Sequence, residues 1–447
     1  MSAGMTAVYA APAETYAGSE DPLLFKRVRT WWTLLALFLM ADGEGMFTTQ
    51  AKRWTLKLLE QKEKPSRTLL LVTVVMWMIC AGLMFKQIGP TLRLMLRQRA
   101  VLAFAFLAFL SALWSQVPEL TLRKATILLL YILFAWFFAT YFTPLDQMRL
   151  LLALGVIMAL ASIAWAILLP KYGIQATGEW KGVFGQKNFL GSTMFYLFAG
   201  LPFCRISSGR RLLTVALQAM LPLGLILLSQ SRTPLIMTLV LMAVRVFGPW
   251  VTRTRREQIP FMLYGVGFCV VMIATGVIII LPLLGRDLTL TGRTHTWAMI
   301  FPFTLKHLWL GYGYQGFWLG TSGDSGRLIS MSTTAISSAD DGYLEVMLQF
   351  GLVGMALLLI LLIVCTRDFL RLLRGPCVPL IAYWYAGLIL ATFVGGVTEN
   401  MFFMPIRIVP FMLVLGSAGL KTLNVKSGML PLPANETIDQ KSDRSNR

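Results

Sequence analysis

The sequence is poor in charge. Only 14% of its 447 residues are Asp, Glu, Lys or Arg, whereas soluble proteins carry about 25% charged residues. Instead, 56% of the residues are hydrophobic and the mean hydropathy is +0.68. This composition excludes an ordinary soluble domain and predicts an integral membrane protein.

Cysteine and acidic residues are scarce as well. The five cysteines lie in or beside apolar runs without metal-ligand spacing, so the sequence predicts neither a zinc site nor a disulfide framework. The sequence has 21 acidic and 40 basic residues, which gives a formal net charge of +19. No soluble basic domain is predicted, so nucleic acid is not an expected partner. The positive-inside rule for cytoplasmic loops explains most of the excess.

Long apolar runs dominate the rest of the chain. A membrane-spanning helix needs about 20 mainly apolar residues. Runs of this kind predict twelve spans, at 30–48, 68–86, 100–115, 124–142, 149–170, 189–205, 212–229, 233–249, 261–284, 343–365, 377–397 and 402–421. The fold class predicted is therefore an all-α polytopic membrane protein with about 12 transmembrane helices.

Basic loops set the predicted orientation. Arginines follow the second, sixth, eighth and tenth spans, so these loops and both chain ends are expected in the cytoplasm. The basic stretch 49–67 disagrees and is interpreted as an amphipathic helix on the membrane surface. The predicted organisation is a cytoplasmic tail (1–29), nine spans (30–284), one large periplasmic loop (285–342), three spans (343–421) and a disordered cytoplasmic tail (422–447).

Two outward-facing segments combine an arginine with hydroxyl side chains: 231–233 (SRT) and 291–294 (TGRT). A guanidinium binds phosphate through paired hydrogen bonds and keeps its charge when desolvated. Arg232 and Arg293 are therefore candidate ligands of a diphosphate. Arg232 taken alone also fits an arginine that anchors a helix end at the membrane surface.

Lys187 and Asn188 stand at the entrance of a predicted span, where an unpaired cation is costly. Carboxylates collect at two other places on the same face. Asp340 and Asp341 precede the tenth span, where they would favour a helix dipole or, as neighbouring acids, raise one pKa towards the range of a general base. Glu399, in the last outward loop, is a second candidate base.

Residues 311–316 (GYGYQG) match the GxGxxG pattern. No βαβ unit surrounds them, so a dinucleotide site is not predicted. We interpret the segment as a tight turn whose aromatic neighbours either stack on sugar faces or form an interfacial belt.

Taken in order, these segments resemble the O-antigen ligase and polymerase superfamily, and within it the bacterial exopolysaccharide-production polymerases. The matching pieces are Leu113-Trp114-Ser115 with Pro118 and Thr121, Trp180 to Gly191, Ser231-Arg232-Thr233, Leu284 to Trp297, Gly311-Tyr312-Gly313, and Asp341 to Glu345. The resemblance implies a GT-C-like fold and an undecaprenyl-diphosphate-linked oligosaccharide as donor. It also implies inverting glycosyl transfer without metal or cofactor, at the periplasmic face of the bacterial inner membrane.

The resemblance also implies roles for individual residues. Arg232 and Arg293 would bind the diphosphate, with Lys187 in support. Asn188, Trp297 and Tyr343 belong to the matching motifs and are predicted to bind substrate.

The motif departs from the family at the presumed catalytic base. Where the family commonly has His-Asn-Gly-Tyr-Leu, this chain has Asp340-Asp341-Gly342-Tyr343-Leu344. Asp340 thus occupies the position of the histidine and becomes the first candidate base. Glu179 and Glu399 are alternatives, and an inactive copy is a third reading.

The leading functional prediction is an exopolysaccharide polymerase in the lipid bilayer, with further polysaccharide-export components as candidate partners. The alternative with the same donor is a ligase that transfers finished glycan to lipid A core. A polysaccharide transporter is the alternative from another class, but it predicts charged residues at mid-membrane depth, and the predicted spans are nearly free of them.

Overall fold

The computed structural model describes residues 23–41, 88–204, 209–253, 293–332, 336, 338–374, 378–404 and 408–429. The described ranges are mainly helical and contain no β-strand beyond one isolated bridge between Ile174 and Trp180. The helices are α1 (Leu23–Met40), α2 (Ile88–Arg97), α3 (Arg99–Leu110), α4 (Pro118–Tyr141), α5 (Pro144–Leu168), α6 (Lys187–Phe198), α7 (Gly209–Leu228), α8 (Arg232–Arg253), α9 (Arg293–Lys306), α10 (Gly323–Met331), α11 (Gly342–Leu373), α12 (Leu380–Gly395) and α13 (Ile408–Met429).

Helices overlap ten of the twelve predicted spans. The spans at 68–86 and 261–284, the surface stretch 49–67 and residues 285–292 lie outside the described residues. Among those described, α4, α5, α8, α11 and α13 are long and apolar enough to cross a membrane. The pair α2–α3, bent by 88°, adds a sixth candidate if it counts as one span. A mostly helical membrane protein is thus confirmed, whereas the count of twelve stays a prediction.

Helix α13 occupies the centre of the bundle and packs against α4, α11 and α12. Its residues from Phe411 to Leu415 are all fully buried. The ring of Phe411 lies 5.7 Å from that of Phe134 and 5.5 Å from that of Phe138, both in α4. A helix that is apolar on all sides fits this central position.

Close packing of α8 against α12 brings the start of one helix to the end of the other. A Cβ atom at Gly387 would lie 2.6 Å from Leu241, and one at Gly395 would lie 2.7 Å from Met237. Small residues at such positions let helix backbones approach closely. The chain that leaves α12 therefore runs past the first turn of α8.

A kink divides α11 at Gly351, where φ is 59° and ψ is −152°. The loop after α9 inserts its backbone at this point. The N–H of Tyr312 donates to the carbonyl of Leu348 at 2.7 Å, and the N–H of Leu352 donates to the carbonyl of Leu308 at 2.8 Å. The loop thus pairs backbone groups that the break leaves without helical partners.

The turn at 311–316 holds this loop in place. Gly311 has φ of 63° and a Cβ there would lie 2.5 Å from the backbone of Gln349, so only glycine fits. Tyr314 is tied to the 111–121 segment, because its N–H donates to Ser111 Oγ at 2.9 Å and its carbonyl accepts from Thr121 Oγ1 at 3.0 Å. The 111–121 segment and the 311–316 turn therefore form one structural unit.

The aromatic rings of this turn have an interior role that the sequence did not predict. Tyr312, Tyr314 and Phe317 are each at most 2% exposed. They are therefore neither sugar platforms nor part of an interfacial belt. Trp309, by contrast, is 68% exposed.

Candidate functional site

Three of the helices that begin with a cation contribute to the site: α6 at Lys187, α8 at Arg232 and α9 at Arg293. The unpaired N–H groups in the first turn of a helix carry partial positive charge and attract anions. A side-chain network joins the first turns of these three helices to the segment that follows α12, residues 396–400. We call this network the Glu399 cluster, and it consists of Asn188, Ser231, Thr233, Arg293, Thr398 and Glu399.

Glu399 lies at the centre of the cluster and is only 5% exposed. Its Oε1 accepts hydrogen bonds from Asn188 Nδ2 at 2.5 Å and from an Arg293 guanidinium nitrogen at 3.0 Å. The other guanidinium nitrogen of Arg293 donates to the carbonyl of Thr398. Asn188 Oδ1 accepts from Ser231 Oγ at 3.0 Å. Candidates predicted on three separate segments thus contact one another directly.

The start of α11 adds a fourth helix end beside the cluster. The N–H of Gly342 donates to the carbonyl of Gly396 at 2.7 Å. Asp341 caps the helix, because its carboxylate accepts from the N–H of Leu344 at 2.8 Å. Burial raises the pKa of Asp341, although backbone hydrogen bonds and the nearby Arg293 act in the opposite direction.

The two other predicted cations have different surroundings. Arg232 is exposed and forms no ion pair with the residues that the structure describes. Lys187 forms an ion pair with Glu179 at 3.0 Å. Hydrogen bonds from Thr177 and Lys187 hold the pKa of Glu179 at about 2, so this carboxylate is a poor base at neutral pH.

Asp340 sits in a strained backbone conformation, with φ of 48°. Such values are uncommon outside glycine and cost about 1–3 kcal/mol, and they cluster at functional sites. The hydroxyl of Ser338 donates to the Asp340 carboxylate. The indole of Trp297 donates to the carbonyl of Ala339 at 2.9 Å, so Trp297 holds the loop that carries Asp340.

Glu345, one turn into α11, also supports this loop. It is 1% exposed. Its Oε1 accepts from the N–H of Ala339 and from the indole of Trp318, each at 2.9 Å, and its Oε2 accepts from Gln349 at 3.2 Å. Sequence reasoning gave Glu345 no role, although a carboxylate inside an apolar span was the signal that could have revealed one.

Tyr343 contributes to packing at the same corner. Its hydroxyl donates to the carbonyl of Phe393 at 2.7 Å. Its ring contacts Phe402 edge to face, with centroids 5.0 Å apart. The indole N–H of Trp297 and the hydroxyl of Tyr343 therefore both donate their hydrogen bonds to main-chain carbonyls.

The described part of the chain contains no group of three or more His, Cys, Asp or Glu side chains arranged to hold a metal ion. Helix amino termini and the exposed Arg232 beside the cluster offer positive charge to a ligand, together with Arg293, which is paired with Glu399. Such an arrangement suits a phosphate-bearing anion held at one end of the helix bundle.

The O-antigen ligase family matches residues 217–359. This range runs from α7 into α11 and includes the Arg232 and Arg293 segments and the Asp340 loop. The exopolysaccharide production protein ExoQ of Rhizobium meliloti (strain 1021) is 25% identical over 286 aligned residues, which cover 59% of this chain. The alignment covers 63% of the length of that relative. The family match and this relative both support the resemblance to the O-antigen ligase and polymerase superfamily that the motifs indicate.

Proposed function

We propose that the protein is an exopolysaccharide polymerase that joins undecaprenyl-diphosphate-linked oligosaccharide repeats by inverting glycosyl transfer. In this proposal a hydroxyl of the acceptor sugar attacks the anomeric carbon of the donor. The new glycosidic bond forms as the bond to the diphosphate oxygen breaks, and the lipid diphosphate leaves with the electron pair. The hydroxyl proton passes to a carboxylate of the enzyme.

The observation that carries the proposal is the meeting of helix starts at the Glu399 cluster. Helices α6, α8 and α9 each begin with Lys or Arg, and their first turns are linked through Asn188, Ser231 and Arg293. A leaving diphosphate gains negative charge in the transition state. Pre-arranged cations and helix dipoles stabilise that charge without needing to reorganise. Arginines acting here make a metal-independent reaction feasible.

The pairing of Arg293 with Glu399 suggests how the donor prepares the site. The guanidinium is engaged by Glu399 and by the Thr398 carbonyl. A diphosphate that attracts this guanidinium would leave the buried carboxylate with less positive charge beside it, and the carboxylate would become more basic. Glu399 would then be able to accept the proton of the acceptor hydroxyl. Asp340, in the histidine position of the family motif, is the other proposed base.

The finer architecture belongs to the same proposal. It includes twelve spans, a GT-C-like arrangement, an active face on the periplasmic side of the inner membrane, and the domain boundaries predicted from the sequence, except that α13 continues as a helix to Met429, into the tail predicted to be disordered. Further export components would act on the product.

The test is polymer synthesis by the full-length protein in liposomes that contain a lipid-diphosphate-linked repeat oligosaccharide, with excess EDTA. A ladder of longer lipid-linked glycans is expected from the wild-type protein and its loss from Arg293→Ala. Arg149→Ala is the matched control, since this exposed arginine pairs only with Asp146 among the described residues. A full ladder from correctly inserted Arg293→Ala would rule out the diphosphate role of Arg293, and a ladder abolished by EDTA would rule out metal independence.

A ligase remains the alternative because the matching family is described as O-antigen ligase. Both activities need the same donor site and differ in the acceptor. Adding lipid A core to the liposomes separates them. Transfer of preformed glycan to the core, with no ladder in its absence, would replace the polymerase by a ligase.

A further inference from the structure

The far end of α11 carries a basic and apolar cleft that the proposed reaction does not use. The cleft has a volume of about 550 Å³ and opens to the surroundings. The described residues that line it all belong to one face of α11: Leu362, Ile363 and Leu370 are apolar, and Arg367, Arg371 and Arg374 are basic. The three arginines are spaced four and three residues apart, so they share one face of the helix.

A buried carboxylate orients this face. Asp368 is 3% exposed, and its Oδ2 accepts from Lys421 of α13 at 3.1 Å. Arg367 and Arg371 stay 3.8 Å from Asp368 Oδ1 and are 51% and 55% exposed. The contact with α13 thus turns Asp368 inward and leaves the arginines outward.

Positive charge exceeds negative charge at the cleft. Arg367, Arg371 and Lys421 lie within ion-pair distance of the Asp368 carboxylate, and Arg374 follows three residues after Arg371. Arg374 has no ion pair with any described acid. The positive-inside rule accounts for arginines at this membrane face, and the cleft adds an open space beside them that the apolar residues of the same helix face also line.

The length of the helix sets the depth of the cleft in the bilayer. From Gly351 to Leu373, α11 is continuous and rises about 34 Å at 1.5 Å per residue. This matches the hydrocarbon thickness of about 30 Å. Counted from Gly351, Arg371 and Arg374 therefore reach the level of lipid phosphates, Arg367 stands about one helical turn deeper, and Leu362 and Ile363 lie at the level of acyl chains.

We propose that this cleft binds an anionic phospholipid of the leaflet opposite the Glu399 cluster. The arginines bind the phosphate, and an acyl chain lies along Leu362, Ile363 and Leu370. Charge complementarity selects an acidic headgroup over a zwitterionic one, because arginines at a membrane surface attract anionic lipids. Binding there fixes the end of α11 whose other end carries Asp341 and contacts the Glu399 cluster. This inference does not depend on the catalytic proposal.

The experiment measures lipid retained by the purified full-length protein, using native mass spectrometry from nanodiscs of phosphatidylglycerol and phosphatidylcholine. We expect retained phosphatidylglycerol to fall at least fivefold in the combined variant Arg367→Gln, Arg371→Gln and Arg374→Gln. Arg149→Gln, an exposed arginine paired with Asp146 on the same predicted membrane side, should leave retention unchanged.

The other outcomes separate the sources of phosphate. Retention unchanged in the combined variant, or reduced equally by Arg149→Gln, would overturn the proposal. Displacement of phosphatidylglycerol by millimolar inorganic phosphate would also overturn it, because the cleft would then bind a soluble anion. If the combined variant fails to fold, Leu370→Trp, which narrows the cleft without removing charge, tests the same site and should reduce retention of phosphatidylglycerol.

Discussion

The contact between Arg293 and Glu399 makes a quantitative prediction about stability. The nitrogen and oxygen atoms lie 3.0 Å apart, and the side chains are only 20% and 6% exposed. Removing one partner of a fully buried pair costs about 3–5 kcal/mol, because the other charge remains uncompensated. Arg293 retains some exposure, so we expect a smaller loss. Glu399→Gln should lower the free energy of unfolding by about 2–3 kcal/mol, in line with hydrogen bonds to a charged group.

A double-mutant cycle isolates the pair. We expect Arg293→Met combined with Glu399→Gln to cost about 1–2 kcal/mol less than the sum of the single changes, because each single change already removes the contact. The measurement is reversible unfolding of the purified protein in detergent and denaturing surfactant micelles, followed by tryptophan fluorescence.

A matched control is provided by Arg149 and Asp146. Their charged atoms lie 3.1 Å apart, but the side chains are 76% and 40% exposed. Exposed pairs contribute about 0.2–1 kcal/mol, so the control cycle should give a coupling near the lower limit. A coupling below about 0.5 kcal/mol at Arg293 and Glu399, no larger than the control, would refute the reasoning about the Glu399 cluster.

Three further predictions follow from single residues. Gly351→Ala should lower the free energy of unfolding by more than about 2 kcal/mol, since φ is positive and a Cβ would lie 2.4 Å from the Trp309 backbone. Gly224 has open space around it, so Gly224→Ala should be neutral or stabilising in the same thermal unfolding assay. The pKa of Glu179 is lowered from 4.5 to about 2, so its stabilising contribution is present above pH 4.5 and is lost as the pH falls towards 2. The difference in stability between wild type and Glu179→Gln should shrink over that pH range. A constant difference would contradict the ion pair with Lys187. Asp340→Asn should reduce polymer yield at least tenfold while Asp340→His retains part of it, and unchanged yield from Asp340→Asn would assign the base to another residue.

Some of the candidate site could be predicted because its residues stand in short motifs. Arg293 and Asn188 were recognisable as polar residues at the ends of apolar runs. Their shared partner was not, since 211 residues separate Asn188 from Glu399. That contact exists only because α8 packs closely on α12 and brings the 396–400 segment to the start of α6 and α8.

The glycine-rich turn illustrates the opposite case. The context of the 311–316 pattern excludes a nucleotide site, but the sequence leaves its rings equally suited to sugar binding or to the membrane interface. Burial of Tyr312 and Tyr314 depends on the kink at Gly351, and no local pattern in α11 predicts that the loop after α9 inserts there.

By itself, the sequence determined that this is a helical membrane protein whose motifs resemble those of the O-antigen ligase and polymerase superfamily. Hydropathy and motif order are local properties, and each apolar run must form its own backbone hydrogen bonds in lipid. Only the tertiary structure decided which motifs meet: the starts of α6, α8 and α9 are linked around Glu399 through Asn188, Ser231 and Arg293, while the 111–121 and 311–316 motifs form the support for α11. Those contacts join residues far apart in the chain, and the packing of whole helices, which no short segment encodes, sets their geometry.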